Sequence, residues 1–163
     1  MGGAMFYTTP SQKGLKMAYN IQHKNDNLAN YEHAIYNFNE RCAQESIAAV
    51  EDLIGQGAAS LIFDVRGNPG GYKNELVELL DYLLPEGPLF RSENYQGIES
   101  VEYSDEKHLD IPMAVLVNLS SYSAAEFFAA ALEEYDAAIT VGEKGEVLAD
   151  LEGMAPNVCG FSD

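Results

Sequence analysis

Basic residues are scarce: nine lysines and arginines stand against 26 aspartates and glutamates, a formal net charge of −17. Such a chain repels the phosphate backbone of nucleic acid and the anionic face of a membrane, so nucleic acid is not expected as a partner. Long apolar runs are absent too. No stretch approaches the ~18 residues a bilayer-spanning helix needs, so no membrane span is expected. The opening residues Met1-Gly2-Gly3-Ala4-Met5 lack the basic-then-apolar order of a signal peptide. There are only two cysteines, Cys42 and Cys159. They lie far apart and match no metal-ligand spacing, which favours two separate thiols over a disulfide or a ligand pair. There is no internal repeat and no low-complexity block.

What is present is the material of one globular domain. The chain has 163 residues, 47% of them hydrophobic, with ten tyrosines and seven phenylalanines. That is enough for one domain with a real core and too apolar for a disordered acidic tail.

Residues 1–33 are polar and mixed, with turn-like clusters around one candidate strand at 15–21, and read as an N-terminal arm able to supply an edge strand. From residue 34 the pattern sharpens. A short strand at 34–38 precedes Cys42, Ile47, Val50, Leu53 and Ile54 at helical spacing, closed by Gly55 and Gly57. Residues 60–65 are a continuous apolar run of strand length, followed by the glycine-rich turn Gly67-Asn68-Pro69-Gly70-Gly71. Leu76, Val77, Leu79, Leu80, Leu83 and Leu84 form a helical stripe that ends at Pro85. A charged stretch at 91–110 carries no clear element. A buried strand follows at 113–117, an alanine-rich helix at 124–135 and a last strand at 138–141. Strands alternating with helices predict an α/β fold: a single domain with a largely parallel sheet and covering helices. The expected division is an arm at 1–33, a core at 34–144 and an irregular tail at 145–163.

Two strand-to-helix turns are candidates for chemistry, because free N–H groups and the positive ends of helix dipoles converge where parallel strands end. In the first, paired Gly70 and Gly71 permit φ > 0 and close approach of the main chain, so backbone donors could line an anion pocket. An ordinary strand-to-helix turn uses the same residues, and the Lys-Ser/Thr ending of a phosphate loop is absent. The second runs Asn118-Leu119-Ser120-Ser121-Tyr122-Ser123-Ala124-Ala125-Glu126. Its serines suit helix N-caps, while a serine at a helix N-terminus also sits in the right field for an alkoxide. Glu126 complements the helix dipole and is assigned no chemistry.

Taken together, these segments resemble the carboxyl-terminal processing peptidases (tail-specific proteases) from about residue 34 to 144. The matching pieces are Tyr36-Asn37-Phe38-Asn39-Glu40, the strand and turn Leu61-Ile62-Phe63-Asp64-Val65-Arg66-Gly67-Asn68-Pro69-Gly70-Gly71, the strand Val115-Leu116-Val117-Asn118, the elbow Ser121 to Glu126, and Val141-Gly142-Glu143-Lys144. The resemblance implies the peptidase core shared with the ClpP/crotonase-like superfamily and a serine-type endopeptidase acting on peptide or unfolded protein, with no cofactor and no metal. The family's nucleophile is the middle serine of a Ser-x-Ser-x-x-Glu elbow, here Ser123, with Ser121 as its supporting neighbour. Its oxyanion donors fall on the amide of Ala124 and on that of Gly70 or Gly71. Its general base is a lysine, which a desolvated site makes easier to deprotonate.

The sequence departs from the family at the base. Members place it in a Gly-Lys-Gly motif five residues beyond the glutamate, and five beyond Glu143 lies Leu148. Lys144 either matches a lysine that follows the glutamate without acting as base or, through a short deletion, takes the base's place beside Gly145. No glutamine occurs after Gln96 to support the base, and the PDZ module common in the family is not found in these residues. Lys13, Lys16 and Lys73 could serve as alternative bases if folding brought them near, although Lys73 reads first as an exposed lysine opening a helix, and His23, His33 and His108 sit in polar surroundings with no motif linking them to Ser123. The alternative to an active peptidase is a truncated or catalytically incomplete homologue that binds peptides or partners. Enoyl-CoA hydratase relatives share the general core, but their anionic thioesters suit a chain at −17 poorly. Family members usually act outside the cytoplasm, and the compartment here is left open.

Overall fold

The computed structural model describes residues 15–16, 20–22 and 29–142. Two short strands, β1 (Leu15–Lys16) and β2 (Asn20–Gln22), pair antiparallel with β3 (Ala29–Ile35). Helix α1 (Cys42–Gly55) leads to β4 (Ser60–Asp64), and α2 (Lys73–Leu83) follows the glycine turn. A hairpin of β5 (Gly87–Glu93) and β6 (Glu99–Ser104) forms a separate two-stranded sheet. The chain then returns through β7 (Met113–Val117), α3 (Ala124–Glu134) and β8 (Ala138–Gly142). In the main sheet β3, β4, β7 and β8 lie side by side and all parallel. Each consecutive pair of these strands is joined by a crossover containing a helix, as a parallel sheet requires. The single α/β domain expected from the sequence is the fold observed.

The helices stand where the apolar stripes place them. On α2 the buried positions include Leu76, Leu79, Leu80 and Leu83, one face of a 3.6-residue period. Helix α1 begins at Arg41, whose φ of 73° lies in the left-handed region, and its first turn is capped from another element: the Glu75 carboxylate accepts the Ala43 N–H at 3.0 Å. Strands β4 and β7 alternate fully buried and half-buried residues. One face of the sheet is thus sealed and the other partly covered, a milder burial than their continuous apolar runs suggest. On the sealed face Phe63 meets Phe128 of α3 edge-on at 5.5 Å, and Phe38 lies 5.8 Å from the same ring. All three are fully buried, each contributing about 1.5–3 kcal/mol by removal of its ring from water.

Two elements differ from the sequence expectation. The first strand of the core occupies 29–35 rather than 34–38, because the chain leaves the sheet after Ile35 to meet the glycine turn. There Phe38 donates its N–H to the Gly70 carbonyl at 2.9 Å and accepts the Tyr72 N–H at 2.7 Å. The charged stretch at 91–110 holds most of a hairpin. Its turn is built by Asn94, whose side-chain oxygen accepts the N–H groups of Gln96 and Ile98 at 2.9 and 3.0 Å, with Gly97 at φ 75°. The charges that mask its strand pattern point mostly to solvent, as in the Arg91–Glu99 pair at 3.5 Å.

Candidate active site

Strands β4 and β7 are parallel neighbours, with Asp64 opposite Leu116, so the turns that follow them emerge at the same edge of the sheet. The turn after β7 climbs through Asn118 and Ser121 to Ser123, the N-cap of α3. Ser123 is solvent-exposed and adopts φ 54° and ψ −119°. A non-glycine residue rarely occupies such a conformation, which costs of order 1–3 kcal/mol and persists only where its surroundings impose it.

The surroundings do so through named bonds. Buried Ser121 donates its hydroxyl to the Val65 carbonyl at 2.8 Å and accepts the Asn118 N–H at 3.1 Å. The Asn118 side-chain oxygen accepts the N–H groups of Gly67 and Ser120 at 2.9 and 3.0 Å. Glu126 completes a capping-box arrangement, its carboxylate accepting the Ser123 N–H at 3.0 Å. Burial raises the pKa of Glu126 above the ordinary carboxyl value, against the opposing pull of that hydrogen bond.

The glycine turn presses directly against this elbow. A Cβ built on Gly70 would lie 2.7 Å from the Ser123 Cβ, 2.9 Å from the Tyr122 carbonyl and 3.0 Å from the Ala124 nitrogen, and Gly70 itself has φ 95°. On the other side a Cβ on Gly71, at φ 150°, would overlap the Phe38 carbonyl. Both glycines are required by space as well as by dihedral angle. Asn68, fully buried, joins the two corners: its backbone carbonyl accepts the Tyr122 N–H at 2.8 Å, its side-chain oxygen accepts the Gly70 N–H at 2.7 Å, and its side-chain amide donates to the Ile35 carbonyl at 2.8 Å. Among the described residues, the N–H groups of Gly71 and Ala124 have no protein acceptor. The edge therefore carries an exposed serine packed against Gly70, with unoccupied backbone donors on the next residue of each turn, the kinds of group acyl transfer uses for attack and for holding a developing oxyanion.

The structure thus brings Ser123, Ala124, Gly70 and Gly71 into one cluster. Lys144 lies outside the described residues, as do Lys13, His23 and Cys159. Strand β8 ends at Gly142, paired with Val117, at the edge of the sheet that carries the elbow. Lys73 is engaged elsewhere, 2.9 Å from Glu102 and 5.5 Å over the Phe90 ring. His108 is exposed, its ring 3.4 Å from the Glu106 carbonyl; Lys16 and His33 are described only as positions in β1 and β3. Cys42 is buried and its thiol pushed up to about 11, chiefly by desolvation, which makes it a core residue and an unreactive one. Sequence reasoning missed Asn68; its one signal was an asparagine inside a glycine turn that closes a buried strand.

The model of peptidase family S41 matches residues 34–151. A carboxyl-terminal-processing protease of Synechocystis is 37% identical over 108 residues, covering 66% of this chain and 25% of that protein. The carboxy-terminal processing protease of Bacillus subtilis is 33% identical over 111 residues, covering 67% and 24%. The chain spans about a quarter of the length of these curated relatives. Among solved structures, the photosystem II D1 C-terminal processing protease superposes with a TM-score of 0.65 at 29% identity, over 72% of this chain and 31% of that one. Mature CPAF superposes with a TM-score of 0.59 at 16% identity, over 82% and 40%, a likeness of fold. Motif order, topology and these similarities agree: the chain belongs to peptidase family S41, the carboxyl-terminal processing serine peptidases.

Proposed function

We propose that the chain cleaves peptide bonds in peptides or unfolded proteins, with Ser123 as nucleophile and Lys144 as general base. The observation that carries this reading is the contact of the two corners: the glycine turn lies against the Ser123 Cβ and the Ala124 nitrogen. Ser123 attacks the scissile carbonyl while Lys144 takes the hydroxyl proton, a role that requires a neutral amine and therefore a desolvated one. The oxyanion is held by the N–H groups of Ala124 and Gly71. Gly71 is preferred to Gly70 because the Gly70 N–H is already donated to Asn68. Such donors are typically worth about 3 kcal/mol each. The amine leaves with the proton held by Lys144, and water then releases the acyl group from Ser123. Support for Lys144 comes from its place two residues after Gly142, where β8 ends at the edge of the elbow. The alternative of a non-catalytic peptide binder rests on the missing Gly-Lys-Gly motif and glutamine, and no observation of the fold adds to it.

The test is turnover of an unstructured peptide by the 163-residue chain. Cleavage is expected, lost in Ser123→Ala and reduced by at least about 100-fold in Lys144→Ala. Cleavage unchanged in Ser123→Ala, or absent from the parent chain, would overturn the reading.

A further inference from the structure

Asn68 is the most completely committed polar side chain near the site. It is fully buried, and both ends of its amide are used: the oxygen on the Gly70 N–H at 2.7 Å, the nitrogen on the Ile35 carbonyl at 2.8 Å. Its main chain adds the Tyr122 N–H at 2.8 Å and the Val65 carbonyl at 3.2 Å. One residue therefore ties β3, the end of β4, the glycine turn and the residue before Ser123.

The bond to Gly70 has a chemical consequence. Without an acceptor at Asn68, the N–H groups of both glycines would be unsatisfied in a turn whose Gly70 carbonyl is already held by the Phe38 N–H at 2.9 Å. Two competing donors on adjacent residues do not make a preorganised pocket, since stabilisation of an oxyanion depends on dipoles fixed before charge develops. By accepting the Gly70 N–H, Asn68 removes one donor and fixes the peptide plane that precedes the other.

We infer that Asn68 is a positioning residue that selects Gly71 over Gly70 as the turn's oxyanion donor and locks it in register with Ser123. This rests on the reading given under Proposed function. It predicts a loss confined to ligands that carry the tetrahedral oxyanion: Asn68 touches neither substrate nor nucleophile side chain, so ordinary peptide binding should be unaffected.

A peptide boronic acid and the matching peptide amide separate these effects. The Ser123 oxygen adds to the trigonal boron as its proton passes to the base, giving a tetrahedral adduct with an oxygen in the oxyanion position, whereas the amide binds without addition. Asn68→Leu keeps the branched shape and removes both side-chain hydrogen bonds. It is expected to weaken boronate inhibition by at least about tenfold and amide binding by less than about threefold, with Asn68→Asp, which keeps an acceptor for Gly70, closer to the parent. Should Asn68→Leu fail to fold, Asn68→Ala carries the same comparison. Equal weakening of both ligands, or of neither, overturns the inference. Boronate inhibition of the parent that survives Ser123→Ala overturns the proposed function instead, which distinguishes the two failures.

Discussion

Ser123 holds an unfavourable backbone conformation because three independent bonds, from Ser121, Glu126 and the Tyr122 N–H, leave it no other. The cost is concentrated at the hydroxyl that we propose attacks substrate, where a sharp corner exposes it beside free amides. Gly70 is the residue with least tolerance: Gly70→Ala would drive a Cβ to 2.7 Å from that of Ser123 in a backbone region alanine avoids. It should lower stability by about 1–3 kcal/mol, seen as a shifted urea midpoint, and reduce kcat by about 100-fold through displacement of the elbow. Glu126 gives a pH signature. Its pKa is raised in the folded state, so the native chain binds this proton more tightly than the unfolded chain, and the stability it contributes is present below the ordinary carboxyl pKa and lost as pH rises through the raised one. Glu126→Gln keeps an acceptor for Ser123 N–H without the charge. Its Tm relative to the parent should therefore climb as pH is raised from ~3.5 toward 7; a constant difference would contradict the assignment.

At the scale of elements, α3 fixes the elbow by anchoring it to the core. Phe128, two residues beyond the capping box, packs on Phe63 of β4 and on Phe38, the residue bridged to Gly71. Phe128→Ala should cost about 3–5 kcal/mol in chemical denaturation and loosen both corners at once, so that peptide turnover falls even under conditions where the variant remains folded. What could be read from sequence divides at this level. Helices α1, α2 and α3 and strands β4 and β7 follow from apolar period and glycine or proline stops, because their burial is one-sided and so leaves a pattern, while β8 is legible from its apolar residues although Ile139 and Val141 are exposed. The hairpin at 87–104 was hidden because its exposed glutamates and tyrosines do not alternate cleanly with apolar residues, although Asn94 and Gly97 mark its turn. The first core strand was displaced because Phe38 looks like a strand residue and in fact bridges to a loop. Ser123 and the two glycines were legible as motifs. The commitment of the Gly70 N–H to Asn68 was not, since the donor an Asx side chain takes is set by the folded turn and not by its neighbours in sequence.

For the whole molecule the dominant physical fact is charge. Of the five basic side chains in the described core, Arg41, Arg66, Lys73 and Arg91 each face a carboxylate, at 3.9, 2.6, 2.9 and 3.5 Å, and Lys107 does not, so the field of a chain at −17 is predominantly negative. A substrate peptide bearing lysines and arginines should be captured faster at low ionic strength. Its kcat/KM should fall as salt is raised from ~0.01 to ~0.15 M, where the screening length drops from about 30 to about 8 Å, while a neutral peptide of the same cleavage sequence should change little. A steeper decline for an acidic peptide would contradict this. Among the described residues no helix is long and apolar enough to cross a membrane.

The central claim is that the hydroxyl at the start of α3 and the amides of Ala124 and Gly71 form one acylation pocket. Its most direct test is intact-mass spectrometry of the chain after treatment with a fluorophosphonate, followed by peptide mapping. The account predicts a single adduct located on Ser123, absent from Ser123→Ala and formed more slowly by Asn68→Leu. An unmodified chain, or an adduct that persists when Ser123 is replaced, would contradict it.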